Sequence, residues 1–165
     1  MNLAIKTAAL FIFALTLTFP SHGQHPGGPP IDGSGVWILD PSDPTVGTSA
    51  CPFPVEVDFA GKIKNFDLPG NRTILSSPGL NATIINLSDQ AKQVTVNITG
   101  HINLFNQPDG GFIAIGTGRN LLTDPNYGLT LVIGLVRYAF DGTGNLVEGL
   151  NPLAGQTVSL CSLVD

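Results

Sequence analysis

Apolar and polar residues alternate along most of this chain. Phe53, Val55, Val57 and Phe59 are separated by Pro54, Glu56, Asp58 and Ala60, a period of two that predicts a strand with one face buried and its carboxylates in water. Ala60-Gly61 permits a bend, after which Lys62-Ile63-Lys64 resumes with its lysines outward. The longest alternation runs through Val94, Val96, Ile98, Gly100, Ile102 and Leu104 on one face, against Thr95, Asn97, Thr99, His101 and Asn103 on the other. Gly100 in its middle predicts a bend or bulge, and the alternation turns Asn97 and His101 outward.

Shorter strands are predicted at 36–39, 73–76, 82–87 and 112–115, with turns at Pro69-Gly70-Asn71, at Pro78-Gly79 and between Asn106 and Gly111. Residues 129–140 are apolar on both faces in their first half, which predicts the most covered strand. A hairpin at 141–145 and strands at 146–147 and 157–163 complete the set, with Cys161 in the last strand. Roughly eight to ten short strands with frequent turns and no helix predict an all-β fold. A single antiparallel β-barrel is favoured, because closure removes edges in a chain poor in the lysines that would guard them; a β-sandwich is the alternative.

The N-terminus changes where this fold is expected to work. Lys6, an apolar stretch over 8–19 and Ser21-His22-Gly23 before Gln24 read as a secretory signal peptide of residues 1–23. The apolar stretch falls well short of the roughly 20 residues that span a membrane, and no later segment comes closer, so a secreted, extracellular protein without a membrane span is expected. Residues 24–35, rich in Gly and Pro, predict a flexible tail, leaving 36–165 as one domain.

Loss of Lys6 leaves six basic against twelve acidic side chains, a net charge of about −6, which argues against a nucleic-acid partner. Charged residues make up 12% of the chain where soluble domains average about 25%, so something besides charge has to keep the surface wet. Four glycosylation triplets, at Asn71, Asn81, Asn86 and Asn97, offer it, where chance gives roughly 1.7. They predict a glycoprotein in a eukaryote and tip the source towards a fungus; in a bacterium they would be ordinary strand residues. An oxidising compartment favours a disulfide between Cys51 and Cys161, with two free buried thiols as the alternative. Their separation matches no CxxC metal pattern.

Candidate chemistry is sparse. Gly116-Thr117-Gly118-Arg119-Asn120 lacks the helix that a phosphate cradle requires directly after it, and reads as a bend across which Arg119 pairs with Asp124. Asp141-Gly142-Thr143-Gly144-Asn145 only partly fits a calcium loop and reads as a hairpin turn. No GxSxG or HExxH motif occurs, and Glu56 and Asp58 share an exposed face. His101 lies on the polar side of its strand and is expected to be solvated, not catalytic. Neither a metal nor a cofactor is expected.

Thr117 to Pro125, taken with Cys51-Pro52-Phe53-Pro54-Val55, Asp141 to Val147 and Cys161, resembles a group of small secreted all-β proteins of actinobacteria and fungi with a signal peptide and one cysteine pair. The likeness covers roughly residues 50–163 and implies compartment and fold without implying a reaction.

The leading functional expectation is a binding module for a small apolar molecule or a cell-surface glycan. The rival is a cyclase or isomerase that works by cavity shape, helped by Arg119, Asp124, Tyr127 or Arg137, chemistry that needs few titratable groups. A matrix or effector protein without a small ligand is the third. Oligomeric state is open.

Overall fold

A computed structural model of the chain describes residues 29–43, 50–124, 126–143 and 146–165. The expected signal peptide and the first part of the expected tail lie outside the described residues. The rest of that tail is structured: β1 (Ile31–Asp32) and β2 (Gly35–Leu39) begin inside it, and the Gly33 N–H donates to the Gly61 carbonyl at 3.0 Å.

The all-β expectation holds. The chain continues as β3 (Val55–Ala60), β4 (Lys62–Leu68), β5 (Arg72–Ser76), β6 (Asn81–Asn86), β7 (Gln93–Asn97), β8 (Gly100–Asn106), β9 (Phe112–Asp124), β10 (Gly128–Phe140) and β11 (Leu146–Ser159), with a 3-10 turn over Cys161–Leu163. These strands form two antiparallel sheets, ordered β1-β4-β5-β8-β9-β10-β11 and β2-β3-β6-β7. Among the described residues neither sheet closes on itself, so the expected barrel closure is not seen.

The sheets are joined because long strands pass from one to the other at a bend, as in packings whose corners are turned by the strands themselves. β3 lies in the smaller sheet and β4 in the larger, with Gly61 alone between them at φ 142°. A methyl group on Gly61 would meet the Gly79 carbonyl oxygen at 2.6 Å, so the corner admits no other residue without movement. The expected long strand through Gly100 is likewise two, β7 and β8, split at Ile98-Thr99. Ser77 fixes this second corner: its N–H donates to the Gly100 carbonyl at 3.0 Å and its hydroxyl to the Ile98 carbonyl at 2.7 Å.

A crease continues across the last strands. Gly118, Gly134 and Gly155 oppose one another on β9, β10 and β11, all at positive φ (85°, 125° and 122°). Its effect is visible in one hydrogen bond. Asp124 opposes Gly128, whereas Leu150 lies between the partners of Arg137 and Ala139, about 30 Å further along β10 if that strand were straight. Yet the Leu150 N–H donates to Asp124 Oδ2 at 3.0 Å. The strands must therefore fold over at the glycine row, bringing the β9–β10 turn back against β11.

This fold-over explains why β10 is buried on both faces, as its sequence predicts. Leu129, Leu131 and Ile133 join the first core with Val55, Val57 and Ile84 of the smaller sheet. Val132, Val136, Tyr138 and Phe140 build the second with Ala114 and Leu150. Burial pushes the Tyr138 phenol well above its ordinary pKa, so it stays neutral. The described C-terminus closes the first core: Leu160 and Val164 are fully buried. Cys51 and Cys161 form the expected disulfide, with Cα atoms 5.3 Å apart. Cys161 sits in the 3-10 turn, however, not in the last strand, because β11 runs unbroken over the stretch where two short strands were expected and ends at Ser159.

Candidate functional site

Turned away from the second core, the larger sheet presents a face that its register defines. Phe66, Ile74, Asn103, Ile115 and Arg137 oppose one another across β4, β5, β8, β9 and β10. On one side of that row runs Lys64, Ser76, His101, Thr117 and Leu135, and on the other Leu68, Arg72, Phe105, Ile113 and Ala139. His101 is exposed and Ala139 buried; every other member is half-buried, as side chains on an open sheet shield one another without being covered. The opposite face alternates with it and carries Leu104, Ala114 and Tyr138 of the second core.

Two cation–aromatic contacts organise this face. The Lys64 ammonium stands 4.6 Å from the Phe66 ring centroid, and the Arg72 guanidinium 5.8 Å from that of Phe105. Arg72 Nη2 also donates to Asn103 Oδ1 at 3.0 Å, while its Nε is buried without a partner. Arg137 forms an ion pair with Glu148 of β11. The face thus combines aromatic and β-branched platforms, amide and hydroxyl groups, and cations.

The four residues weighed for shape-based catalysis are not gathered. Arg119 does not pair with Asp124; its Nε donates to the Asn97 carbonyl at 2.8 Å. The predicted bend is present, at Gly118 in the crease, but Arg119 and Asp124 both follow it on β9, where a separation of five places them on opposite faces. Asp124 is 1% exposed, and its carboxylate accepts from the Asn126 N–H at 2.7 Å and the Leu150 N–H at 3.0 Å, a clasp across the fold-over. Tyr127, in the adjoining turn, is 43% exposed. Arg137 lies past the crease with Glu148. Replacing Asp124 with alanine strands the Leu150 N–H in the interior and is expected to cost about 3 kcal/mol, measured by chemical denaturation; a loss below 1 kcal/mol would show that the clasp contributes little.

Of the segment 141–145, residues 141–143 are described, and there Asp141 Oδ1 accepts from the Thr143 N–H at 2.9 Å. Among the described residues no group of three or more His, Cys, Asp or Glu is placed to hold a metal ion. His101 is exposed, so His101→Ala is expected to change stability by no more than about 0.5 kcal/mol; a drop of several kcal/mol in the same denaturation assay would contradict its placement.

The four glycosylation triplets separate clearly. Asn71 is exposed at the β4–β5 turn, and Asn97 is exposed on β7 directly opposite Asn81 on β6, with Asn97 Nδ2 3.3 Å from Asn81 Oδ1. Asn86 is 5% exposed and donates from Nδ2 to the Val164 carbonyl at 2.9 Å. Asn86 is thus the least accessible of the four acceptors: a sugar on that nitrogen would displace the C-terminal segment. Peptide mapping of protein secreted by a eukaryotic host should find Asn71 and Asn97 occupied and Asn86 bare; an occupied Asn86 in folded protein would contradict this geometry.

Comparison with protein-family models, with curated proteins and with solved structures finds no match.

Proposed function

We propose that this protein acts outside the cell as a binding module for a glycan, which lies across the open face built on Phe66, Ile74, Asn103, Phe105 and Ile115. The observation that carries the reading is the composition of that face. A solvent-facing sheet ordinarily alternates to polar residues, and here it presents aromatic and β-branched side chains in adjacent rows instead. Contiguous apolar surface left half open to solvent, with polar groups set into it, suits recognition, and sugar rings need both a flat platform and nearby donors such as Asn103, Ser76 and His101.

Other features agree with an extracellular role. The disulfide suits an oxidising compartment, and among the described residues no helix is long and apolar enough to cross a membrane. Secretion by way of residues 1–23, sugars on Asn71, Asn81 and Asn97, and a fungal source belong to the same proposal. A small apolar molecule is a less suitable ligand for this face, because such ligands bind where most of their surface can be enclosed.

The test is calorimetric titration with a panel of neutral and acidic hexasaccharides, using the protein and its Ile115→Thr variant, which keeps the β-branch but places a hydroxyl on the platform. Binding weakened at least fivefold by the substitution supports the reading. Absence of binding across the panel, or binding indifferent to Ile115, overturns it.

A further inference from the structure

The sign of charge on this face runs against the rest of the molecule. The chain carries a net charge of −5, yet three of its seven Lys and Arg residues, Lys64, Arg72 and Arg137, stand on this one side of the larger sheet. Glu148 answers Arg137. Among the described residues neither Lys64 nor Arg72 forms an ion pair; they meet the Phe66 and Phe105 rings and the Asn103 amide, and the carboxylate on the same alternation at the β1 edge, Asp32, opposes Lys62 and accepts from the Ser34 N–H at 2.9 Å. The carboxylates of β3 and β4 lie elsewhere: Glu56 and Asp58 are in the smaller sheet, and Asp67 opposes Thr73 on the other alternation, where it accepts from the Thr73 hydroxyl at 2.9 Å.

From this charge complementarity we infer that the glycan is acidic, a polymer bearing carboxylates such as a chain of uronic acids, with Lys64 and Arg72 reading its charges. The inference rests on the glycan-binding reading and names the substrate class. A cation stacked on an aromatic ring is held in position on the side that faces its platform while its remaining N–H donors stay directed outward. Lys64 and Arg72 lie on adjacent strands, with Lys64 opposite Ser76, four residues along β5 from Arg72. Their backbones are therefore about 13 to 14 Å apart, a spacing that one rigid small anion cannot bridge and that successive acidic sugars in a chain can. A guanidinium also meets a carboxylate with two parallel hydrogen bonds, which a neutral sugar cannot offer.

Calorimetry with two probes separates this inference from the reading beneath it: a hexamer of galacturonic acid, and a neutral hexamer of galactose with the same linkage. At 50 mM salt the acidic hexamer is expected to bind at least tenfold tighter, and to lose most of that advantage at 500 mM salt. Lys64→Gln combined with Arg72→Gln should abolish the preference, whereas Lys92→Gln, which removes the same charge from an exposed turn off this face, should leave it intact. Lys64→Gln alone, at a half-exposed position, should reduce the preference and covers the case in which the double variant does not fold. Equal binding of the two hexamers overturns the acidic class and leaves the glycan reading standing. Binding of neither hexamer overturns both, and a preference untouched by Lys64→Gln and by the double variant overturns the assignment of these residues.

Discussion

Alanine at position 134 is expected to destabilise the protein by about 4 kcal/mol, a large part of the roughly 5 to 15 kcal/mol by which a domain of this kind is stable. Two effects add. The backbone at Gly134 has φ 125°, where a residue with a side chain is strained by about 1 to 3 kcal/mol. The new methyl group would also be driven into the Ala154 carbonyl oxygen of β11, and the strands would have to part to admit it. They cannot part cheaply, because Gly134 opposes Gly118 and Gly155, which bend at the same level. Gly35→Ala is the matched control: nothing lies within 4 Å of the added methyl group on β2, and a change within about 0.5 kcal/mol is expected. Equilibrium denaturation of both variants checks the contrast, and similar stabilities would mean that the crease does not depend on its glycines.

The same glycines mark where sequence reading succeeded and where it stopped. Period-two alternation is local, so it located β3, β6, the two-faced β10 and the outward Asn97 and His101. A glycine inside an alternation announces a bend without giving its direction, and direction decides topology. Gly61 and Gly100 turn strands from one sheet into the other, whereas Gly118 and Gly134 fold a pair of strands back on themselves. Asp124 shows the cost of missing this: its hydrogen bond to Leu150 joins residues far apart along the sheet, whereas Arg119, the partner its local sequence suggests, lies on the opposite face of β9.

The candidate site was partly written in the sequence and passed over. Outward lysines were expected at Lys62 and Lys64, and the alternation of Lys64, Phe66 and Leu68 with Arg72, Ile74 and Ser76 is present in the chain. What no local pattern contains is register. That Arg72 stands opposite Phe105, and Phe66 opposite Ile74, follows from the Pro69-Gly70-Asn71 turn and the corner at Ser77, whose geometry fixes which residues become neighbours. Asn86 shows the complementary limit: a triplet records the chemistry of an acceptor, and the burial of its nitrogen under Val164 depends on where the far end of the chain returns.

Opening the Cys51–Cys161 bond is expected to cost about 4 kcal/mol, comparable to the damage at Gly134 but by a different route. The linked residues are 110 apart in sequence, and on the chain-entropy account closing a loop of that length removes about 4 to 5 kcal/mol of freedom from the unfolded chain. In the folded state the bond ties the segment before β3 to the 3-10 turn after β11. That turn is also held without it, by buried Leu160 and Val164, by the Leu160 N–H on the Leu129 carbonyl at 2.9 Å, and by Asn86 on Val164. A Cys51→Ala, Cys161→Ala variant should therefore keep its native fold, with an unchanged strand signature by circular dichroism, while its denaturation midpoint falls, and reductant should lower the wild-type midpoint to the same value. Two alkylatable thiols in the native, unreduced protein, or a variant within 1 kcal/mol of wild type, would contradict this. If the loss is as large as expected, the chain made in a reducing cytosol sits close to its unfolding limit and the chain made in an oxidising compartment does not. Comparing soluble yield between the two compartments, with the double variant as control, thus measures how far this fold depends on export: the wild type should gain from the oxidising compartment and the variant should not.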